Sequence, residues 1–89
     1  MQLPAETLKQ YEGEYEIRPD LHVIMTVKGG ELSAIPTNQT EKILQAEKED
    51  FFFEKGGDVQ VEFIRNANKE VDGFILYQSG RQMKCQKIK

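Results

Sequence analysis

The 89-residue sequence predicts an all-β protein: a small antiparallel eight-stranded barrel with a short N-terminal helical turn. The first indication is the alternation of inward and polar positions from Tyr11 to Ile17, where three glutamates occupy every second position. This period of two is typical of a half-buried strand. The second is the recurrence of turn residues between such segments, without any crossover helix. Strands joined in this way form a meander, and closure into a barrel removes the exposed sheet edges.

The N-terminal segment has a different character from the rest of the chain. Residues 1–10 contain good helix formers after Pro4, a residue suited to a first helical turn. We expect these residues to form a short helical lead-in, in which Leu8 is an apolar plug. The whole chain, residues 1–89, is expected to form one domain. The first strand then covers about Gly13 to Ile17, and the residues around Pro19 that follow it favour a turn.

Two further strands follow as a hairpin. Leu21 to Lys28 alternates strictly, which places Val23 and Met25 inward and His22 on the opposite, polar face. Two glycines then make a two-residue hairpin turn, and the third strand runs from Glu31 to Ile35.

The segment after the next loop is ambiguous. Residues 41–49 are good helix formers, but a helix of this length is marginal and strands surround it. We predict a fourth strand around Lys42 to Ala46, followed by an acidic turn through Asp50.

The second half of the chain supplies four more strands. They are expected at Phe51 to Glu54, around Val59 to Phe63, at Val71 to Gln78 and at Arg81 to Ile88. In the first of them we expect Phe51 and Phe53 to face the interior and Phe52 to point outward. An outward phenylalanine is a candidate partner contact.

Composition excludes several classes of function. The net charge of −3, with acidic and basic residues interspersed, argues against nucleic-acid binding. No apolar run is long enough for a membrane span, and the N-terminus has no signal-peptide pattern. Cys85 is the only cysteine, so no internal disulfide is expected.

The residues that carry chemistry do not form a recognisable catalytic pattern. His22 with Ser33, Ser79 or Cys85 is the best formal combination, but none of the three lies in a nucleophile context. No cluster has metal-ligand spacing, and residues 68–73 resemble the opening of a calcium loop without its closing acid. We therefore expect no catalytic, metal-binding or cofactor-binding residues, and no enzyme activity.

A small apolar ligand inside the barrel is the alternative to a purely structural interior. An eight-stranded barrel holds side chains or one small ligand, and a chain this short has little core to spare. The candidate lining is Tyr15, Val23, Met25, Phe51, Phe53, Phe63, Ile75 and Tyr77.

The order of motifs resembles a known family. Leu8, Tyr11, Gly13 and Tyr15 open it, Gly30 and Leu32 follow, and an acidic turn precedes the three phenylalanines. The closing part is Val61-x-Phe63 and then Gly73-Phe74 before the last strand. This pattern is similar to the lipocalin-like C-terminal domain, of unknown function, appended to serine β-lactamase-type hydrolases and peptidases.

That resemblance implies a lipocalin-like barrel with an accessory role, either packing on a serine hydrolase domain or mediating self-association. It also implies a bacterial, extracytoplasmic parent enzyme. The catalytic serine and lysine belong to the other domain, and no S-x-x-K motif occurs in this sequence. The alternative is a lipocalin-like carrier of a small apolar ligand.

Overall fold

A computed structural model, which describes residues 2–89, shows a closed antiparallel barrel of eight strands with one short helix. The predicted fold class is confirmed. In chain order the elements are α1 (Ala5–Lys9), β1 (Gly13–Arg18), β2 (Leu21–Lys28), β3 (Glu31–Pro36), β4 (Lys42–Lys48), β5 (Phe51–Glu54), β6 (Gln60–Arg65), β7 (Val71–Gln78) and β8 (Arg81–Lys87).

The strands follow one another around the barrel in chain order, and β1 pairs with β8 to close it. Because every neighbouring pair is antiparallel, successive connections alternate between the two ends of the barrel. The β2–β3, β4–β5 and β6–β7 connections lie at the end that also carries α1, which we term the helix end. The other four connections lie at the opposite end, termed the open end.

Two of the connections are tight hairpin turns. Gly29 and Gly30 have φ angles of 58° and 81°, and Ser79 and Gly80 have φ angles of 53° and 76°. Positive φ at both central residues is the signature of a two-residue turn whose twist matches that of its strands. These turns therefore fix the register of β2 with β3 and of β7 with β8.

α1 covers the helix end of the barrel. The helix begins after Pro4, whose extended conformation precedes the first turn, and its Glu6 and Lys9 suit the helix dipole at either end. Leu3 and Leu8 are both buried, Leu8 with 1% of its surface exposed. The predicted apolar plug is thus present, and it closes this end of the interior.

Aromatic side chains fill the half of the interior that lies next to α1. Neighbouring ring centroids are 4.4 to 5.9 Å apart, in the tilted and edge-to-face arrangements that aromatic pairs prefer. The Tyr15 hydroxyl donates a hydrogen bond of 2.7 Å to the Tyr11 carbonyl oxygen, so its polar atom is satisfied. The members of this packed half are Tyr11, Tyr15, Phe52, Phe63 and Phe74.

The structure reverses the predicted orientation of Phe52. Its side chain is fully buried, and its partners in register are Ala46 of β4 and Val61 of β6, both buried. The small Ala46 side chain leaves room for the large ring beside it. The prediction that Phe52 points outward as a partner contact is therefore wrong.

The polar residues of β6 explain the error. Gln60 and Glu62 point outward, and their partners in β5, Phe53 and Phe51, share that outer face. A one-residue change of register exchanges the two faces of a strand, so all three phenylalanines move together. The same two residues of β6 pair with Tyr77 and Ile75 of β7, which also face outward. The predicted inward orientation of Phe51, Phe53, Ile75 and Tyr77 is wrong for this single reason.

The ambiguous segment after the β3–β4 loop is a strand. β4 runs over Lys42–Lys48, and a bulge between Ala46 and Lys48 shifts its register with β5. The prediction of a strand is confirmed. Pairing with both neighbouring strands outweighs the helix propensity of so short a segment.

Candidate functional site

The predicted lining residues are divided among three places. Val23 and Met25 line an interior cavity. Tyr15 and Phe63 belong to the packed half, where they contact other aromatic rings. The remaining residues lie on the outer wall: Phe51, Phe53, Ile75 and Tyr77.

The cavity occupies the half of the interior next to the open end. Its volume is about 90 Å³, and its wall is predominantly apolar. Residues at the β1–β2, β3–β4 and β7–β8 ends of the strands contribute to the wall, among them Leu21, Pro36 and Gln78. The cavity therefore reaches the open end, whereas the packed half and α1 block it on the other side.

Polar groups are concentrated at the mouth of the cavity. Gln39, Lys42 and Gln78 are its polar lining residues. Lys42 pairs in register with Ala34, whose side chain is buried in the interior, so Lys42 also points inward. Its Nζ lies 3.9 Å from Glu54 Oε2, which is longer than a direct hydrogen bond.

Sequence reasoning missed most of the cavity wall. Lys42 was overlooked because a lysine at a strand end is expected to be solvated. Leu44, Val61 and Leu76 are absent from the predicted lining, which favours the aromatic residues of the neighbouring strands. The signal that identifies them is the alternation in β6, where Val61 lies between Gln60 and Glu62. Extending this alternation to adjacent strands assigns Leu76, the partner of Val61, to the interior. The full wall consists of Ile17, Leu21, Val23, Met25, Ala34, Pro36, Gln39, Lys42, Leu44, Val59, Val61, Phe74, Leu76, Gln78 and Met83.

A second feature is an outer aromatic face, which we define as Phe51, Phe53, Ile75 and Tyr77. All four side chains are partly exposed on the outer wall of β5 and β7. The rings of Phe51 and Tyr77 reach across β6, with centroids 6.4 Å apart and planes only 28° from parallel. The Tyr77 hydroxyl donates to Glu62 at 2.7 Å. The face therefore consists of apolar side chains on β5 and β7, with the polar residues Gln60 and Glu62 of β6 between them.

Lys48 adds a charged border to the outer aromatic face. Its Nζ lies 5.9 Å from the centroid of the Phe51 ring, which is within range of a cation–π interaction. Lys84 of β8 pairs with Ile75 and is exposed, while Glu62 lies between the two apolar strands. Charges of both signs thus border the apolar surface.

His22 lies in an acidic cluster on another part of the outer wall. Its Nδ1 is 2.5 Å from Glu14 Oε2, and its Nε2 is 3.8 Å from Glu16 Oε1. The hydrogen bond with Glu14 raises the pKa of His22 and lowers the pKa of Glu14. The hydrogen bond thus favours the protonated, ion-paired form of the ring.

The nucleophile candidates are separate from His22. In residues 2–89 the Ser33 hydroxyl donates to the Glu41 carboxylate, and the Ser79 hydroxyl donates to Asp58 at 3.2 Å. Cys85 is buried, and burial raises the pKa of its thiol to about 12. A thiol with such a pKa is protonated at neutral pH and is a poor nucleophile. The structure does not join these groups into a catalytic arrangement.

A polar network fastens α1 to the barrel at the helix end. The Asp50 carboxylate accepts hydrogen bonds from Arg65 Nε at 2.9 Å and Nη2 at 2.8 Å, and from the Tyr11 hydroxyl at 2.7 Å. Arg65 also donates to Gln10 Oε1 at 2.7 Å. The hydrogen bonds from Arg65 lower the pKa of Asp50, and burial raises the pKa of Tyr11 to about 12. Every group faces a protein partner, so this network serves stability.

Within residues 2–89, no group of three or more His, Cys, Asp or Glu side chains is arranged to hold a metal ion. Over the same residues, no helix has the length and apolarity needed to cross a membrane.

Comparison with known proteins gives one match. No curated protein and no solved structure matches the chain. A family profile with the description "Domain of unknown function (DUF3471)" matches residues 1–89. Because this match covers the whole sequence, the chain belongs to the DUF3471 family of domains of unknown function.

Proposed function

We propose that this chain is a non-catalytic interaction domain that packs its outer aromatic face on a β-lactamase-type serine hydrolase domain. The observation that carries the proposal is the partly exposed group of Phe51, Phe53, Ile75 and Tyr77 across β5 to β7. Buried aromatic anchors with a charged border are typical of protein–protein interfaces.

The position of the face on the barrel supports this role. Regular strands hold the four side chains, and stacking of Phe51 on Tyr77 restricts both rings before a partner arrives. A preorganised surface loses less conformational entropy on binding than mobile side chains do. The face is therefore better suited to stable docking than scattered apolar residues on loops.

The choice of partner depends on the order of motifs. Leu8, Tyr11, Gly13 and Tyr15 open the chain as in the domain appended to serine hydrolases, and Gly73-Phe74 precedes the last strand. A hydrolase that supplies its own catalytic residues needs only shape and surface from this domain. The pairing of His22 with Glu14, away from any serine, is consistent with that division of roles.

Binding to an isolated hydrolase domain tests the proposal. The hydrolase domain is taken from a protein in which a domain of this family follows it, and titration calorimetry measures its affinity for this chain. Phe53→Thr should weaken binding at least tenfold, because aromatic anchors dominate interface energies. Ile35→Thr is the matched control, since Ile35 is 41% exposed on β3, on a different part of the wall.

Three results contradict the proposal. No binding to the hydrolase domain removes the partner. If Ile35→Thr weakens binding to the hydrolase domain and Phe53→Thr does not, the contact lies on the wall around β3 and not on the outer aromatic face. A homodimer in native mass spectrometry that Phe53→Thr dissociates assigns the face to self-association instead.

A second candidate function is the binding of a small apolar ligand. The cavity of about 90 Å³ at the open end favours it. Native mass spectrometry of the purified protein should then show a small adduct or accept one on titration. Ala34→Leu, which directs a larger side chain into the cavity, should abolish the adduct, and a persistent adduct in this variant contradicts the candidate.

A further inference from the structure

We propose that the cavity binds a short-chain monocarboxylate, with the alkyl group inside the barrel and the carboxylate on the Lys42 ammonium. This inference develops the ligand-binding candidate above and is independent of docking on a hydrolase. It depends on the size of the cavity, on the register of Lys42 and on the polar groups at the mouth.

The size of the cavity limits the ligand to a few carbon atoms. Drug-sized ligands occupy pockets of roughly 300–1,000 Å³, whereas this cavity measures about 90 Å³. A cavity of roughly 150 Å³ holds benzene with its six carbon atoms, so this smaller cavity accommodates on the order of three or four heavy atoms. The apolar wall of Val23, Met25 and Leu44 selects an alkyl group for this space.

The mouth selects the chemistry of the head group. Gln39 and Gln78 offer amide donors, and Lys42 is the charged residue in the wall. Acidic residues outnumber basic ones in this chain, yet this inward-facing position carries an ammonium. Glu54, the ion-pair partner of Lys42, is not one of the lining residues, so the ammonium is the charge that a head group in the cavity meets, and it attracts a negatively charged acceptor.

Lys42 has hydrogen-bonding capacity for such a head group. Its side chain is 27% exposed and forms an ion pair with Glu54, but the distance of 3.9 Å is too long for a hydrogen bond, so the N–H donors of Nζ are not used by Glu54. A carboxylate at the mouth would accept a charge-assisted hydrogen bond from Nζ, next to apolar walls that exclude water. The alkyl group and the carboxylate are thus recognised by adjacent parts of one site.

NMR titration of the whole chain with 3-methylbutanoate at neutral pH tests the inference. We expect chemical-shift changes at Val23, Met25 and Leu44, and a dissociation constant on the order of millimolar for so small a ligand. 3-Methylbutanamide, which has the same shape without the charge, should bind about tenfold more weakly.

Two variants separate the roles of charge and space. Lys42→Gln should weaken binding of 3-methylbutanoate about tenfold and reduce the preference over the amide. Lys84→Gln is the matched control, because Lys84 is exposed on the outer wall and pairs with Ile75. Leu76→Phe fills the cavity from another strand and should abolish binding. This variant tests the location of the site independently of Lys42→Gln, including the case in which Lys42→Gln does not fold.

The outcomes distinguish this inference from the functions on which it builds. Equal binding of the acid and the amide overturns carboxylate recognition but leaves an apolar ligand site. Absence of shifts for both compounds overturns the inference and the ligand-binding candidate together. Binding that survives Leu76→Phe overturns the location of the site. None of these results bears on the affinity for a hydrolase domain.

Discussion

At the scale of single residues, ion pairs connect separate parts of the barrel. Asp50 has a φ angle of 70°, in the left-handed region, yet its carboxylate binds Arg65 through two hydrogen bonds. This one residue therefore shapes the β4–β5 turn and connects it to β6. Tyr11 joins the same carboxylate to the segment after α1.

Asp50→Asn should destabilise the protein by about 1–2 kcal/mol, because it weakens a partly buried charged pair. Asparagine tolerates positive φ, so the backbone effect of the change is small. Urea unfolding at neutral pH measures the difference. Asp72→Asn, on an exposed side chain of β7, is the control and should have little effect.

The effect of Asp50 should depend on pH. Since Arg65 lowers the pKa of this carboxyl below 3.8, its stabilisation is complete above the unfolded pKa and is lost as pH falls through the folded pKa. The stability difference between the wild type and Asp50→Asn should therefore shrink below about pH 3.8. A difference that stays constant down to pH 2 would show that Asp50 acts without its charge.

His22 should titrate above its ordinary pKa of 6.5, because its hydrogen bond with Glu14 favours the protonated ring. The contribution of this pair to stability is complete below 6.5 and is lost as pH rises through the raised value. NMR titration of the ring protons measures the pKa directly. Glu14→Gln should return it toward 6.5, whereas Glu47→Gln, on an exposed position of β4, should not.

At the scale of elements, the orientation of β5 is the decisive feature. Phe52 is fully buried, whereas Phe51 and Phe53 are partly exposed. Three identical residues in succession contain no internal information about which face is buried. The neighbouring strand β6 supplies it, because Gln60 and Glu62 mark the outer side.

Alanine substitutions test this orientation. Phe52→Ala should cost about 3–5 kcal/mol, the usual range for a buried phenylalanine. Phe51→Ala provides the matched control in the same strand and should cost clearly less, because its ring is partly solvated. Denaturant unfolding compares the two, and equal losses would show that the face assignment is wrong.

The strands could be predicted from the sequence, while the sides of two of them could not. β2, β5 and β7 have the predicted bounds, because alternation and turn residues act locally. In β7 both faces are apolar, with Phe74 and Leu76 on one and Ile75 and Tyr77 on the other. Only pairing with β6 decides between them, and pairing is a long-range property. Lys42 was missed for a similar reason, since its position at the mouth depends on how the barrel closes.

At the scale of the whole molecule, the barrel combines a well-packed half with a half that contains the cavity. Five aromatic rings and α1 stabilise the helix end. The open end contains the cavity and the inward-facing Lys42. The tightly packed aromatic residues and the cavity therefore lie at opposite ends of the same small interior, and the outer aromatic face lies outside both.

The β1–β8 pairing that closes the barrel is shorter in register than the β7–β8 pairing. β1 and β8 are in register at Tyr15 with Lys87 and at Glu16 with Gln86, whereas β7 and β8 pair from Gly73 to Gln78. Amide hydrogens that bridge β1 and β8 should exchange faster than those between β7 and β8, since local opening needs fewer broken bonds. Hydrogen-exchange NMR measures both sets, and slower exchange at the β1–β8 seam would contradict this prediction.

The plug formed by α1 also has a kinetic consequence. A tube that is open at both ends admits one molecule while another departs on the far side. In this barrel the packed half and α1 block the helix end, so a molecule in the cavity has to leave through the open end before another can enter. Compounds of any chemistry that enter it should therefore exclude one another, and their mixtures should obey simple competition at one site.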